Sequence, residues 1–96
     1  RYADGGCTIR RIAVCGGAGG SMIRKALQKG AQALVTGDVK HDQFITARQL
    51  GLTLIDAGHF DTENIVIPLL EQTVKAAFPE VEIVPCQSGG NTARTV

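Results

Sequence analysis

Apolar and polar residues alternate along the chain in blocks that predict strands followed by helices. Three aliphatic or β-branched runs have the length of buried strands, and they span positions 9–15, 33–36 and 53–56. An amphipathic stretch follows each run, and the predicted helices span positions 22–29, 43–50 and about 62–78. A further apolar run at 82–85 predicts a last short strand. The predicted order is therefore βαβαβαβ.

Glycine and proline residues mark the ends of these elements. Gly30 and Gly51 follow the first two predicted helices, where glycine commonly ends a helix, and Pro79 follows the third. Pro68 either kinks the third helix or belongs to the first turn of a helix over 68–78. This alternation predicts an α/β fold with three layers, in which helices pack on a mostly parallel sheet.

The composition restricts the class of protein. Ninety-six residues suffice for one domain with a modest core. The formal net charge is +1 and the basic residues are scattered, so we expect no nucleic-acid partner. No apolar run reaches membrane-spanning length, so we expect no membrane association. The three cysteines have neither disulfide-framework nor metal-finger spacing, which favours reduced thiols and a cytoplasmic location.

The two ends of the chain differ from its middle. Residues 1–8 show no periodicity and are expected to be disordered or a linker. Residues 87–96 are rich in small polar residues and predict a flexible tail. Residues 9–86 form the single predicted α/β domain. The chain begins at Arg1 without a methionine, and we expect it to be a piece of a longer protein.

The loops that follow the three predicted strands carry most of the candidate chemistry. In an open parallel sheet these loops share the carboxyl edge, where ligands bind. This edge receives both histidines and the acidic residues of the central part of the chain: Asp38, His41, Asp42, Asp56, His59, Asp61 and Glu63. We therefore predict the functional site at this edge, where Asp38 and Lys40 either bind substrate or pair with each other.

The first of these loops is a glycine-rich turn at residues 16–20, followed by Ser21, which could cap the next helix. Free backbone N–H groups in such a turn can bind an anion, as in a nucleotide-binding α/β domain. The candidate residues for that role are Gly17, Gly19, Gly20 and Ser21. The spacing completes neither the dinucleotide-binding nor the Walker pattern. The alternative is that the glycines permit close packing of a helix against a strand.

His59 and Glu63 lie four residues apart after the third predicted strand. On a helix this spacing projects an imidazole and a carboxylate from one face, within reach of one metal ion. The alternative is a histidine near a helix start and a glutamate that complements the helix dipole. The spacing alone leaves both interpretations open.

Four segments, in this order and spacing, resemble one known family. They are Ile12 to Gly19, Val35 to Lys40, Leu50 to Leu52, and Ile55 to Glu63. The family is that of the dinuclear-metal-centre proteins, named after a yeast NGG-interacting factor and often labelled GTP cyclohydrolase 1 type 2 homologues. The resemblance is to the C-terminal half of that family and covers about residues 9–86. Its most specific part is the block from Asp56 to Glu63.

The resemblance implies that His59 and Glu63 are metal ligands, in a site that holds two divalent ions in the full-length protein. Zinc, iron and manganese all suit an imidazole and a carboxylate. The other ligands of the family come from an N-terminal half that this chain lacks, so we expect the chain alone to bind little metal. Asp56 and Asp61 are candidates to hold the second ring nitrogen of His59.

One position departs from the family pattern. Many members carry a histidine two positions after the lysine of the Gly-Asp-x-Lys motif. In this chain His41 comes one position earlier, and Asp42 occupies that place. A proton-transfer or substrate role at that position is therefore not carried over, although both side chains could reach the same cleft.

The resemblance implies two classes of function. The first is a metal-dependent hydrolase that acts on a nucleotide-like small substrate, as the GTP cyclohydrolase label suggests. The second is a non-enzymatic metal-binding or regulatory assembly module, consistent with the ring-shaped homo-oligomers of the family. A fold and a metal site do not identify a reaction, so the sequence leaves the substrate, the metal and the catalytic residues open.

Overall fold

The computed structural model describes residues 1–86 and residue 90. In this part of the chain, four strands form one sheet: β1 (Tyr2–Ala3), β2 (Ile12–Ala18), β3 (Ala33–Gly37) and β4 (Thr53–Asp56). The α-helices of the same part are α1 (Ile23–Gln28), α2 (His41–Gln49), α3 (His59–Asn64) and α4 (Val66–Ala77). A 3-10 turn (Gly20–Met22) precedes α1. The tail expected at 87–96 lies outside the described residues, apart from residue 90.

Three neighbouring strands carry the parallel part of the sheet. Strands β2, β3 and β4 lie side by side and run parallel, which confirms the predicted pairing of the first three strands. Strand β2 covers 12–18 rather than the predicted 9–15, so it includes part of the glycine-rich segment. The connections between them contain α1 and α2, as parallel crossovers require. Strand β1 was not predicted, and it pairs antiparallel with β4, with Tyr2 opposite Ile55. The sheet is therefore mixed, in the order β1-β4-β3-β2.

Strand β1 lies within residues 1–8, which we expected to be disordered or a linker, and Arg1 ties it to β4. The Arg1 carbonyl accepts a hydrogen bond from the Asp56 N–H at 2.8 Å. The Arg1 guanidinium also forms an ion pair with the Asp56 carboxylate, which is only 7% exposed. A two-residue strand is too short to show periodicity, so only its tertiary partner reveals it.

The strand expected at 82–85 does not form, and that segment has no regular secondary structure. Ile83 instead lines a hollow beside α4 with Leu70 and Val74. Val84 stays 77% exposed. The free edge of β4, where a further strand could have paired, is taken by β1.

The third predicted helix is two helices, and proline explains the break between them. A proline ring clashes with the carbonyl four residues earlier, and proline has no N–H to donate to it. For Pro68 that carbonyl belongs to Asn64, which is the last residue of α3. Pro68 then lies in the first turn of α4, as one of the two alternatives for this residue predicted.

The core lies on one face of the sheet, beneath α1 and α2. Leu34 and Leu54 project from β3 and β4, and both are at most 1% exposed. Ile23 and Ala26 of α1 and Ala47 of α2 pack into the same cluster. Ala13 and Cys15 of β2 border this cluster, because alternate residues of a strand point to the same face.

Within the described part of the chain, the opposite face of the sheet is covered only at its carboxyl end. There α3 packs so closely on β2 that a Cβ added at Gly16 would lie 3.2 Å from the carbonyl oxygen of Thr62. Towards the amino ends of the strands this face is open, and Val14 of β2 is 72% exposed. In the sheet register Val14 lies beside Val35, which lies beside Ile55. The predicted three-layer arrangement is therefore present only over the carboxyl end of the strands.

Helix α4 buries none of its residues against the rest of the described chain. Its apolar side chains include Val66, Leu69 and Leu70, which are between 43% and 61% exposed. Within the described residues, no helix is both long and apolar enough to cross a lipid bilayer.

Candidate metal centre

The candidate centre lies at the carboxyl edge of the sheet, where the end of β3 touches the start of α3. The Ala57 N–H donates to the Thr36 carbonyl at 2.8 Å. A Cβ added at Gly37 would lie 2.6 Å from the backbone nitrogen of His59. Only glycine allows this approach. The contact places Asp38, the residue after β3, beside the first residue of α3.

His59 stands between two carboxylates. Its Nδ1 lies 2.6 Å from Oδ2 of Asp38. Its Nε2 lies 3.2 Å from Oε2 of Glu63, one helical turn along α3. All three side chains are 44% to 60% exposed, so solvent reaches the group. The structure therefore brings together three of the predicted site residues, one that follows β3 and two from α3.

The two carboxylates raise the pKa of His59 above its ordinary value of 6.5. The hydrogen bond with Asp38 is the largest cause, and the charge of Glu63 is the next. Both favour the imidazolium form, in which each ring nitrogen donates a proton. A divalent cation bound by Nε2 and Glu63 would replace the Nε2 proton, since metal ligands must be deprotonated.

Asp38 adopts an unusual backbone conformation. Its φ of 50° makes it the one non-glycine residue with positive φ among the described residues. Aspartate tolerates this left-handed region better than most residues do, but the region is sparsely populated and is found most often at functional sites. Val39, the next residue, is 4% exposed and belongs to the core, so the backbone is held on both sides of Asp38.

The glycine-rich turn makes room for Glu63. Gly17 has a φ of 65°, and a Cβ added there would lie 2.3 Å from Oε1 of Glu63. The Gly17 N–H donates to Oγ1 of Thr62 at 2.9 Å. Thr62 lies inside α3, which begins at His59. Its hydroxyl ties the turn to α3, directly beside Glu63.

A second hydroxyl fixes the turn from beneath. Thr36 is fully buried, and its Oγ1 donates to the Gly17 carbonyl at 2.9 Å and accepts from the Gly19 N–H at 2.8 Å. This role of Thr36 was not predicted from the sequence, although a threonine at the end of an otherwise apolar strand is a usable signal. Because the amides of Gly17 and Gly19 both donate to protein oxygens, the geometry favours close packing over anion binding.

The remaining two anion-binding candidates, Gly20 and Ser21, have other surroundings. A Cβ added at Gly20 would lie 2.1 Å from Oε1 of Gln43, so this glycine also permits close packing, here of the turn against α2. Ser21 is exposed and lies in the 3-10 turn rather than at the N-cap of α1, which is Met22.

The other acidic candidates have different neighbours. Among the hydrogen bonds of the described residues, the partner of His59 Nδ1 is Asp38 and not Asp56 or Asp61. Asp56 pairs with Arg1 and accepts a hydrogen bond from the Gly58 N–H. Asp61 lies in the first turn of α3, where an acidic side chain complements the helix dipole.

Lys40 and His41 lie at the start of α2. The Lys40 N–H donates to Oε1 of Gln43 at 2.9 Å, which caps the helix. His41 lines a separate groove of about 660 Å³ with Tyr2 and Phe44. Asp38 has His59 as its ion-pair partner, so the predicted pairing of Asp38 with Lys40 is not the one found in this part of the chain.

The pair of His59 and Glu63 fits a metal ion. Two ligands that each lie about 2.0–2.2 Å from one ion are themselves about 3–3.5 Å apart. The 3.2 Å between Nε2 and Oε2 falls in this range. Within residues 1–86 and 90, no group of three or more His, Cys, Asp or Glu residues could hold a metal ion.

Comparison with known proteins identifies the family of this chain. The sequence model of Duf34/NIF3 (NGG1p interacting factor 3) matches residues 2–91 of the chain. The chain belongs to the Duf34/NIF3 family. Its membership confirms the family suggested by the sequence motifs around Asp38 and His59.

Several Duf34/NIF3 relatives are named "GTP cyclohydrolase 1 type 2 homolog". One from Pyrococcus abyssi is 39% identical over 77 residues, which cover 80% of this chain and 30% of the relative. One from Nostoc is 49% identical over 56 residues, which cover 58% of this chain and 21% of the relative. The chain thus spans less than a third of either relative.

Solved structures show the same fold. A hypothetical protein of Staphylococcus aureus matches all of this chain with a TM-score of 0.88 and 27% identity, over 33% of its own length. A protein from Thermus thermophilus matches 82% of this chain with a TM-score of 0.73 and 30% identity, over 32% of its own length.

Proposed function

We propose that this chain is part of a dinuclear metal-binding protein, to which it contributes His59 and Glu63. We further propose that the whole protein is a metal-dependent hydrolase that acts on a nucleotide-like small molecule. The observation that carries the proposal is the 3.2 Å separation of Nε2 and Oε2 at the carboxyl edge of the sheet. The name of the relatives, GTP cyclohydrolase 1 type 2 homolog, supports the hydrolase part.

Each residue of the centre has a definite task in this proposal. The Nε2 lone pair of His59 and the carboxylate of Glu63 bind the ions, and Asp38 holds the opposite side of the imidazole ring. Gly17 leaves the space that the Glu63 carboxylate occupies. When bound, two divalent ions lower the pKa of a water molecule and polarise a substrate oxygen. Zinc, iron and manganese all suit a nitrogen and oxygen ligand pair.

The surroundings of the pair leave room for a substrate. An open depression of about 670 Å³ adjoins Glu63, and Gly16, Val66 and Leu69 contribute to its wall. Its apolar wall could contact an aromatic base, while the carboxylates of Asp38 and Glu63 would repel phosphates until cations neutralise them. In this proposal, metal binding therefore precedes the binding of an anionic substrate.

The direct test is metal content. A stable zinc site usually has three or four protein ligands, so we expect this chain alone to retain little metal after gel filtration. We expect a longer polypeptide that adds the N-terminal half to retain about two ions per chain. His59→Ala in that polypeptide should remove metal, and the matched control His41→Ala should not. Unchanged metal content after His59→Ala would contradict the proposal.

Exposed apolar surfaces support the alternative, a non-enzymatic metal-binding or regulatory assembly module. The outer face of the sheet around Val14 and the apolar side chains of α4 remain exposed in this chain. Such surfaces often mark protein–protein contacts, here contacts within a homo-oligomer. Turnover of GTP by the metal-loaded longer polypeptide, abolished by His59→Ala, would favour the hydrolase. Stable metal binding and oligomerisation with no turnover of GTP or other nucleotides would favour the module.

A further inference from the structure

We propose that Asp38 is a positioning residue of this centre: its carboxylate keeps the proton of neutral His59 on Nδ1, which leaves the Nε2 lone pair facing Glu63. The part of this inference that concerns metal rests on the proposed function. The part that concerns the proton does not, because it follows from contacts within the described chain.

The distances decide which nitrogen keeps the proton. A neutral imidazole has one N–H, and two carboxylates compete for it at opposite corners of the ring. Asp38 lies 2.6 Å from Nδ1, whereas Glu63 lies 3.2 Å from Nε2. Charge-assisted hydrogen bonds strengthen as they shorten to about 2.6–2.9 Å. The proton therefore stays on the side of Asp38.

The backbone holds Asp38 in this place. Gly37 is pressed against the start of α3, with no room for a Cβ, and Val39 is buried in the core. Between them Asp38 takes a φ of 50°, which is a strained value for most residues with a side chain. This conformation coincides with the short contact to His59, as expected where strain is kept for a functional geometry.

Without Asp38, the neutral His59 ring would carry its proton on Nε2, the nitrogen that faces Glu63. Among the described residues, Glu63 would then be the only carboxylate within hydrogen-bonding distance of the ring, and it would draw the proton onto Nε2. That nitrogen would lose the lone pair with which it could bind a cation. A histidine that ligates a metal commonly donates its other N–H to a carboxylate, and loss of such a partner typically costs 10- to 100-fold in metal affinity.

The test measures the tautomer of His59 by ¹⁵N NMR of the ring nitrogens, in metal-free chain at a pH where the ring is neutral. The variants are Asp38→Gly, which suits the positive φ, and Asp38→Asn, which keeps the side-chain size without its charge. Glu80→Gln, an equal change of charge at an exposed position, is the control. We expect the Nδ1–H tautomer in the wild type and control, and a shift towards Nε2–H in both Asp38 variants.

An unchanged tautomer in both Asp38 variants would overturn the proposal, as would an Nε2–H tautomer in the wild type. Amide spectra that match the wild type would show that the variants are folded. If Asp38→Gly alone unfolds, Asp38→Asn still gives the result. The tautomer shift thus tests the positioning role whether or not the chain binds metal.

A second measurement adds Zn²⁺ to the longer polypeptide that includes the N-terminal half, because this chain alone is expected to retain little metal, and follows the His59 resonances. We expect Asp38→Gly to bind Zn²⁺ about 10- to 100-fold more weakly than the wild type. Glu63→Gln should lose Zn²⁺ binding but keep the Nδ1–H tautomer. Equal Zn²⁺ affinity of the wild type and Asp38→Gly, with an unchanged tautomer, would refute the positioning role while the metal site stands. A tautomer shift in a longer polypeptide that shows no response to Zn²⁺ would refute the metal site and uphold the positioning role.

Discussion

Gly17→Ala tests whether the glycine-rich turn exists to accommodate Glu63. The added methyl group would lie 2.3 Å from Oε1 of Glu63 and 3.3 Å from Nε2 of His59. The Glu63 carboxylate is the end of a flexible, 57% exposed side chain, so it can move away at little cost in stability. We therefore expect a small effect on folding and a large effect on the centre.

The magnitude follows from the backbone. An alanine in the left-handed region costs about 1–2 kcal/mol, and the reduced freedom of the unfolded chain offsets about 0.4–1 kcal/mol of this. The net loss is about 1 kcal/mol, which lowers the Tm of a domain of this size by roughly 4–8 °C. Gly6→Ala is the matched control, because Gly6 has a φ of 73° and its added Cβ would meet no atom within 4 Å.

The assays are thermal unfolding and an NMR pH titration of His59 in metal-free chain. Both variants should lose similar stability. Only Gly17→Ala should lower the pKa of His59 towards 6.5, and only in part, because the hydrogen bond with Asp38 remains. Equal pKa values of His59 in the two variants would refute the inference that Gly17 makes space for Glu63.

Three further predictions concern stability. Because the folded-state pKa of His59 is raised, its ion pairs stabilise the fold fully below the unfolded pKa of about 6.5, and this contribution is lost as the pH rises through the folded value. Urea unfolding of the wild type and His59→Gln across this range should converge at high pH, and a constant difference would contradict the prediction. Burial by itself raises the pKa of Asp56. The hydrogen bond from Arg1 and the other contacts lower it by more than burial raises it, so the pKa lies below its ordinary value of 3.8. The stabilisation from Asp56 is therefore present above pH 3.8 and lost as the pH falls through the folded pKa, and Arg1→Ala should make acid unfolding begin at a higher pH. If the wild type and Arg1→Ala unfold in acid at the same pH, the ion pair of Arg1 and Asp56 does not hold β1 on the sheet. Leu54→Ala should cost about 2–5 kcal/mol in chemical unfolding, because this side chain is fully buried in the core. Val14→Ala, on the exposed face, should cost no more than about 0.5 kcal/mol, and equal losses would show that the outer face is covered in solution.

The sequence by itself determined the parallel part of the fold. Aliphatic runs of strand length, separated by amphipathic stretches and glycine stops, are local features of the chain. They predicted β2, β3 and β4 and their parallel pairing, because a strand, a crossover helix and a second strand in one sheet have one favoured arrangement. The block from Asp56 to Glu63 likewise identified the family, and the four-residue spacing of His59 and Glu63 depends only on helix geometry.

The tertiary structure alone decided the features that join distant parts of the chain. Strand β1 is two residues long and forms because Arg1 meets Asp56, 55 residues away. The partner of His59 Nδ1 is Asp38, 21 residues away, whereas Asp56 and Asp61 were the partners suggested by the sequence. Thr36 and Thr62 fix the glycine-rich turn from β3 and α3 respectively. The hydrophobic periodicity of the sequence shows which face of a strand or helix a residue lies on. Which faces meet is set by the close approaches of α3 to Gly17 and Gly37. These contacts arise only when the sheet and α3 pack together.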